Sequence, residues 1–348
     1  MNKKRIRKFI LYAALFIAIM ALTFWNVFRG QDFKGMLKAV GEMSGWYVVA
    51  AIFLAVSFVA GEGTMIWYLL RGIGEGKSFF RCLSYSFTGF FFSGITPSAS
   101  GGQPMQLYYM SKDGCTFSSS FVVLMTIAVL NKLAMALLGV GILLFWGGQL
   151  QGRLDGYYGL FCLGLVLHVG WVIILFLLMF RSAWIKKLLY QLERIPVRMK
   201  IWKESEKRLE KIDHFFAGYE ETVGFLREHK KMIGVTVIGS LLQRCCTLIL
   251  VCVVYRGLGL QGTALPNLFF LQAAVAVAVE MLPVPGAQGI TEAMYSGVFG
   301  GIFTGHYLVA SIFVTRGISF YFVLAIGGLC VLLRGFMDKK KKNALKDT

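Results

Sequence analysis

Long apolar runs separated by short basic segments dominate the chain. Those from Phe9 to Phe28, Trp46 to Leu70, Phe117 to Trp146, Asp155 to Phe180, Met232 to Tyr255 and Tyr307 to Leu333 are all long enough for a helix to cross a bilayer, which takes about 20 residues. Two further apolar stretches are interrupted. Phe79 to Met110 carries the polar run Thr96-Pro97-Ser98-Ala99-Ser100-Gly101-Gly102-Gln103-Pro104, and Asn267 to Phe303 carries Pro283-Val284-Pro285-Gly286-Ala287-Gln288-Gly289. Neither offers the roughly 40 residues that two full crossings require. Pro97, Gly101, Gly102 and Pro104 in the first run, and Pro283, Pro285, Gly286 and Gly289 in the second, break the helix. At membrane depth such backbone is tolerated only where protein buries it or a wet cavity receives it. The pattern predicts an all-α polytopic membrane protein of about six transmembrane helices. Two oppositely oriented re-entrant helical hairpins, at about 79–111 and 267–303, complete a single domain over 1–348. The first hairpin enters from inside and the second from outside, the relation an inverted repeat produces.

Composition agrees, with 57% hydrophobic and 16% charged residues. The net charge of +18 is concentrated at the ends of the apolar runs and in one loop, as cytoplasmic segments of membrane proteins require. No basic patch with interleaved aromatics sits on a soluble fold, so nucleic acid is not the expected partner. Lys3, Lys4, Arg5, Arg7 and Lys8 precede the first run, and Lys339 to Lys342 follow the last, which puts both termini in the cytoplasm. The bulky Phe24-Trp25-Asn26-Val27-Phe28 offers no cleavage site, so the first helix is expected to remain. Segment 181–231 has a basic excess. Within it Leu209, Ile212, Phe216, Tyr219, Val223 and Leu226 mark an amphipathic cytoplasmic helix expected to pack on the bundle or lie among headgroups.

The candidate chemistry lies inside the apolar runs. Glu62, Lys132, Arg244, Glu280, Glu292 and Arg316 are intramembrane charges, which are costly and mark a pathway by default. Three cations and three carboxylates balance, so the expectation is one set of facing charges. A headgroup phosphate would compete for Arg244 and Arg316, Glu280 or Glu292 would receive an amine or hydroxyl, and Gln103, Gln106 and Gln288 would supply neutral hydrogen bonds. The competing expectation is that these charges only pair with one another. His168, alone on its helix, reads as a packed histidine rather than a ligand. No metal or cofactor is expected. Cys162, Cys245, Cys246, Cys252 and Cys330 lie in or beside apolar segments and read as small buried residues outside any disulfide framework. Gly-x-Ser-x-Gly, His-Glu-x-x-His and paired aspartates are absent, which argues against an intramembrane hydrolase.

The run from Gly94 to Gln106, together with Pro283 to Glu292, resembles the integral-membrane region of the bacterial lysylphosphatidylglycerol synthase and flippase family, and the resemblance covers nearly the whole chain. It implies a multi-pass protein of the bacterial cytoplasmic membrane whose partners are the bilayer and a phospholipid, with homo-oligomers left open. The implied function is a flippase for lysylphosphatidylglycerol or another polar-headgroup lipid. Full-length members join this region to a C-terminal cytoplasmic domain that transfers lysine from lysyl-tRNA. This chain is expected to lack that domain, so phosphatidylglycerol lysyltransferase activity, with its link to cationic-peptide resistance, is the alternative. A non-catalytic membrane scaffold is the second. Many members have an acidic residue at the position of Gln103, a basic one at Gln106 and an acid–base pair at Asn131-Lys132. The less charged hairpin here favours a headgroup less cationic than lysyl, or a lipid-linked sugar phosphate.

Overall fold

In hydrocarbon the backbone can satisfy its hydrogen bonds only internally, so these apolar runs fold as helices. The computed structural model describes residues 33–96, 99–181, 206–282 and 289–344, with a few positions between 183 and 195. The first apolar run, Pro97 and Ser98, and Pro283 to Gln288 lie outside the described residues. The elements are α1 (Phe33–Gly41), α2 (Gly45–Gly72), α3 (Phe79–Ile95), α4 (Gly102–Lys112), α5 (Phe117–Leu154), α6 (Tyr158–Phe180), α7 (Glu206–Glu228), α8 (Lys230–Gly257), α9 (Leu265–Val279), α10 (Ile290–Phe299), α11 (His306–Arg316) and α12 (Val323–Ala344). Five helices among the described residues are long and apolar enough to cross a membrane, the last running from α11 into α12. The chain is an all-α polytopic membrane protein.

Side-chain registers fix the helix directions. Gly72 lies against Met232 at the end that carries the basic connections, and Gly257 against Met43 and Tyr47 at the opposite end, so α2 and α8 are antiparallel. The pair α3–α4 opens at the basic end. Ser86 Oγ donates to the Val59 carbonyl at 2.5 Å, Gly89 faces Gln106, and Gly102 faces Ser93, so α3 descends along α2 and α4 folds back on it. Helix α12 runs antiparallel to α3, with Gly94 against Leu324 and Gly327 against the Phe87 carbonyl.

The second hairpin opens at the other end. Phe270 meets Trp146 at a ring-centroid distance of 5.7 Å, Val277 lies against Gly139, and Glu280 reaches Lys132, so α9 runs inward antiparallel to α5. Helix α10 returns outward, its Gly297 facing Tyr157. The two hairpins thus enter the bundle from opposite ends, and each stops within its length. Leu144, Phe145, Val166, Trp171, Ile173 and Phe176 are exposed on the outside, as lipid-facing side chains are.

Two expectations change in detail, and a third is met by packing on the bundle. Helix α5 continues past Trp146, where its apolar run ends, to Leu154. Gly147, Gly148 and Gly152 weaken a helix by only about 1 kcal/mol each, no proline intervenes, and burial of Leu150 and Leu154 holds the extension. A single turn at Asp155–Tyr157 then links it to α6. The last span is not uniform, because residues Gly317–Phe322 form a π-helical segment directly after Arg316. The amphipathic helix is α7, and its apolar face is already occupied. Phe216, Tyr219, Val223 and Leu226 are buried, Phe215 meets Phe117 and Phe121 of α5, and the Tyr219 hydroxyl donates to the Met179 carbonyl at 3.0 Å. All seven cysteines are free.

Candidate functional site

The tip of the first hairpin closes on Thr96. Its Oγ1 donates to the Phe92 carbonyl at 2.6 Å and accepts the Gly101 N–H at 2.9 Å. A Cβ on Gly102 would sit 2.0 Å from Ser93 Oγ, so the close approach of α3 and α4 requires glycine there. Pro104 falls in the first turn of α4, where a missing N–H costs nothing. Of the two glutamines on this helix, Gln106 is buried and Gln103 is exposed.

Gln106 Nε2 donates to Glu62 Oε1 at 2.6 Å, joining α4 to α2. One turn earlier on α2, the Phe58 carbonyl accepts from Gln243 Nε2 at 2.7 Å, joining α2 to α8. Gly61 leaves the room for the Gln243 side chain. The next residue on α8, Arg244, stacks over Phe58 at 5.7 Å and grips Glu280 with both terminal nitrogens, at 2.9 and 3.2 Å. Lys132 Nζ donates to the same carboxylate at 2.7 Å. A polar line therefore runs from the first hairpin through α2 and α8 to the end of α9 in the second.

The six intramembrane charges divide differently from the expected single set. Lys132 and Arg244 share one carboxylate. Arg316 Nε donates to Glu292 Oε1 at 2.6 Å, and Glu292 Oε2 accepts the Gly289 N–H at 2.6 Å, which caps α10 and ties it to the last span. Glu62 makes no ion pair among the described residues and is met by an amide. The reason is topological. Lys132 and Arg244 both project to the level at which α9 ends, while α2 brings Glu62 to the first hairpin. Gln288, Pro97, Pro283, Pro285 and Gly286 lie outside the described residues, and Gly289 takes a left-handed φ of 81° that suits glycine.

Several buried polar atoms on the helices that carry this line, and on α6, have no hydrogen-bond partner. Asn131 Oδ1, His168 Nε2, Gln243 Oε1, Arg244 Nε and Gln272 Oε1 are all buried and unpaired. His168 is fully buried, as expected of a packed histidine, and its Nδ1 meets the Gly164 carbonyl at 2.8 Å. A lateral groove of about 330 Å³ opens between α2 and α8 beside this line, lined by Ser57, Gly61, Trp67, Gly239 and Gln243 among others.

A second polar cluster, absent from the sequence reading, sits at the basic end. Asp113, just after α4, accepts from Arg81 at 3.1 Å, from the Tyr85 hydroxyl at 2.7 Å, and from Arg334 of α12. The Arg334 guanidinium stacks over Tyr85 and Tyr109 at 5.0 and 4.5 Å and donates to Ser84 Oγ. It is only 8% exposed. Asp113→Asn leaves this guanidinium short of its counter-charge and is expected to cost about 3 kcal/mol. Arg81→Gln, at a half-exposed partner, is expected to cost under about 1 kcal/mol. Thermal unfolding of the two detergent-purified variants compares them directly.

The sequence model of the family described as "Lysylphosphatidylglycerol synthase TM region" matches residues 10–327. The chain belongs to this family. The match spans both hairpins and all the residues of the polar line, and the family points to a membrane lipid-related function. No curated protein matches the chain. In this member of the lysylphosphatidylglycerol synthase membrane-region family, buried charge among the described residues lies along the polar line, in the Arg316–Glu292 pair and in the cluster at the basic end.

Proposed function

We propose that the chain is a lipid flippase whose headgroup path is the polar line between the two hairpins. The observation that carries this reading is Lys132 and Arg244 sharing the single carboxylate of Glu280. Two cations on one anion leave a local excess of positive charge at Glu280, which an anionic phosphate can neutralise. Either cation can turn to a phosphate oxygen while the other keeps Glu280 paired. Gln106, Gln243 and the unpaired amide oxygens offer neutral hydrogen bonds along the way, and the groove between α2 and α8 lets acyl chains stay in lipid. The Arg316–Glu292 pair holds the second hairpin against the last span and forms its wall. The cargo is a phospholipid with an anionic or zwitterionic headgroup, and phosphatidylglycerol is the simplest of these.

The test is movement of fluorescent phosphatidylglycerol between leaflets of vesicles containing the purified chain. Wild-type protein is expected to move lipid, and Arg244→Gln to slow it at least about tenfold, since a lost hydrogen-bonded charge is worth about 1.5 kcal/mol or more. Lys132 still pairs with Glu280 in that variant, so it is expected to fold. Movement no faster than in protein-free vesicles, or a full rate in Arg244→Gln, would overturn the reading. The family name also carries a synthase activity, so lysine transfer from charged tRNA to phosphatidylglycerol belongs in a parallel assay. Transfer without movement would replace the flippase reading with that one.

A further inference from the structure

A close three-helix approach lies beside the shared carboxylate. A Cβ on Gly139 of α5 would be 2.7 Å from Leu165 of α6 and 3.4 Å from Val277 of α9, and one on Gly164 of α6 would be 2.3 Å from the Val277 carbonyl oxygen. From that level the three chains continue toward the basic end together. Helix α5 is followed backwards and reaches Lys132 two turns on, α6 runs forward to His168 one turn on, and α9 reaches Glu280 within one turn. His168 is thus carried to the height of the Lys132–Glu280–Arg244 cluster, within electrostatic reach of all three groups.

The ring is oriented for it. A carbonyl can only accept, so the Gly164 contact places the proton of neutral His168 on Nδ1 and leaves the lone pair on Nε2. That nitrogen is buried and has no hydrogen-bond partner. The charged groups within electrostatic reach of His168 are Lys132 on α5, Arg244 on α8 and Glu280 on α9. Tyr219 of α7 touches α6 only at its far end, at Met179.

We infer that His168 Nε2 is a proton-binding site coupled to anion occupancy of the Lys132–Arg244–Glu280 cluster, so that an anionic headgroup and a proton are taken up and released together. This rests on the flippase reading for the headgroup and on the geometry above for the proton. With the cluster empty of phosphate, two cations face the imidazole and only one carboxylate favours its charging. When a phosphate takes one of the cations, the local potential falls, and Nε2 takes a proton from a hydronium ion. The N–H bond formed replaces the O–H bond broken, and neutral water is left behind. The imidazolium then supplies Glu280 with the positive neighbour that the phosphate has drawn away. Release of the phosphate restores both cations to Glu280 and expels the proton. By linkage the same coupling makes headgroup binding stronger when His168 is charged.

Two measurements on the full chain separate this inference from the reading beneath it. In vesicles with fluorescent phosphatidylglycerol and a pH difference of about one unit, movement with the proton gradient is expected to exceed movement against it at least about threefold, since the limiting ratio for one coupled proton is tenfold. His168→Gln is expected to bring that ratio to one. Lipid movement in the wild type with no response to the gradient, or a response that survives His168→Gln, overturns the coupling and leaves the flippase standing. The second measurement does not depend on transport. Nitrogen NMR of histidine-labelled wild-type protein, with His168→Gln identifying the signal among the four histidines, follows the protonated fraction at one fixed pH near 6. That fraction is expected to rise when phosphatidylcholine nanodiscs are exchanged for phosphatidylglycerol. A His168 that stays neutral from about pH 5 to 8 in both lipids overturns the inference, whether or not lipid moves.

Discussion

Glu280→Gln is expected to be the most damaging single change of a side chain in the bundle interior. Glu280 is the carboxylate that receives both Lys132 and Arg244, and its loss leaves two cations facing one another in an apolar interior. Breaking a buried pair by removing one partner costs about 3–5 kcal/mol, and here one substitution orphans two groups. Lys132→Met is the instructive comparison, because the two-point contact of Arg244 with Glu280 survives it. It is expected to cost under about 1.5 kcal/mol in stability, in line with a single lost hydrogen bond. Yet it removes one of the two positive charges offered to a phosphate. Thermal unfolding in detergent and lipid movement in vesicles are therefore expected to rank the two variants differently. Glu280→Gln lowers stability first, whereas Lys132→Met lowers transport with the fold retained. Equal stability loss in both would show that Glu280 is not the hub that the distances describe.

Gly164→Ala is the second large effect, and it carries no change of charge. The added Cβ would fall 2.3 Å from the Val277 carbonyl oxygen and 2.7 Å from the Ala278 Cα. Both are backbone atoms of α9, so no side-chain rotation relieves the overlap and α6 must move away from α9. Overpacking of this kind costs about 1–3 kcal/mol, and the upper part of that range is expected here because two helix backbones are involved. Gly170→Ala on the same helix is the control. Nothing lies within 4 Å of a Cβ at that position, so alanine is expected to be neutral or to stabilise by up to about 1 kcal/mol through helix propensity. Unfolding temperatures of the two variants test the prediction, and it fails if they coincide.

How much of this was readable in the sequence depends on whether a feature is local. The interrupted spans were legible because proline and glycine break helices wherever they occur, and because about 32 residues cannot cross a bilayer twice. The amphipathic face of α7 was legible from its period. The intramembrane charges could be named but not paired. Lys132 and Glu280 are 148 positions apart in the chain, and only the antiparallel register of α5 and α9 brings them together. Arg334 and Asp113 were missed for a related reason. One sits just before a cationic tail and the other beside Lys112, so each reads as an interfacial charge until α12 is seen to pack on α3. Glycine was the least legible residue of all. Gly139 and Gly164 set the spacing of three helices, while Gly141 and Gly170, close by in sequence, meet nothing.

The π-helical segment after Arg316 adds about one residue to a turn, which sets the helix beyond it back by roughly 100° in phase. Helix α11 therefore presents its contact face to α1, α8 and α10, whereas α12 presents a different face to α3. One membrane-crossing segment is thereby bonded to the second hairpin through Glu292 above the joint and to the first through Ser84 and Asp113 below it. The two hairpins share a single axle with a joint in the middle. Rocking of one against the other would put twist into Gly317–Phe322, where the helix is already overwide.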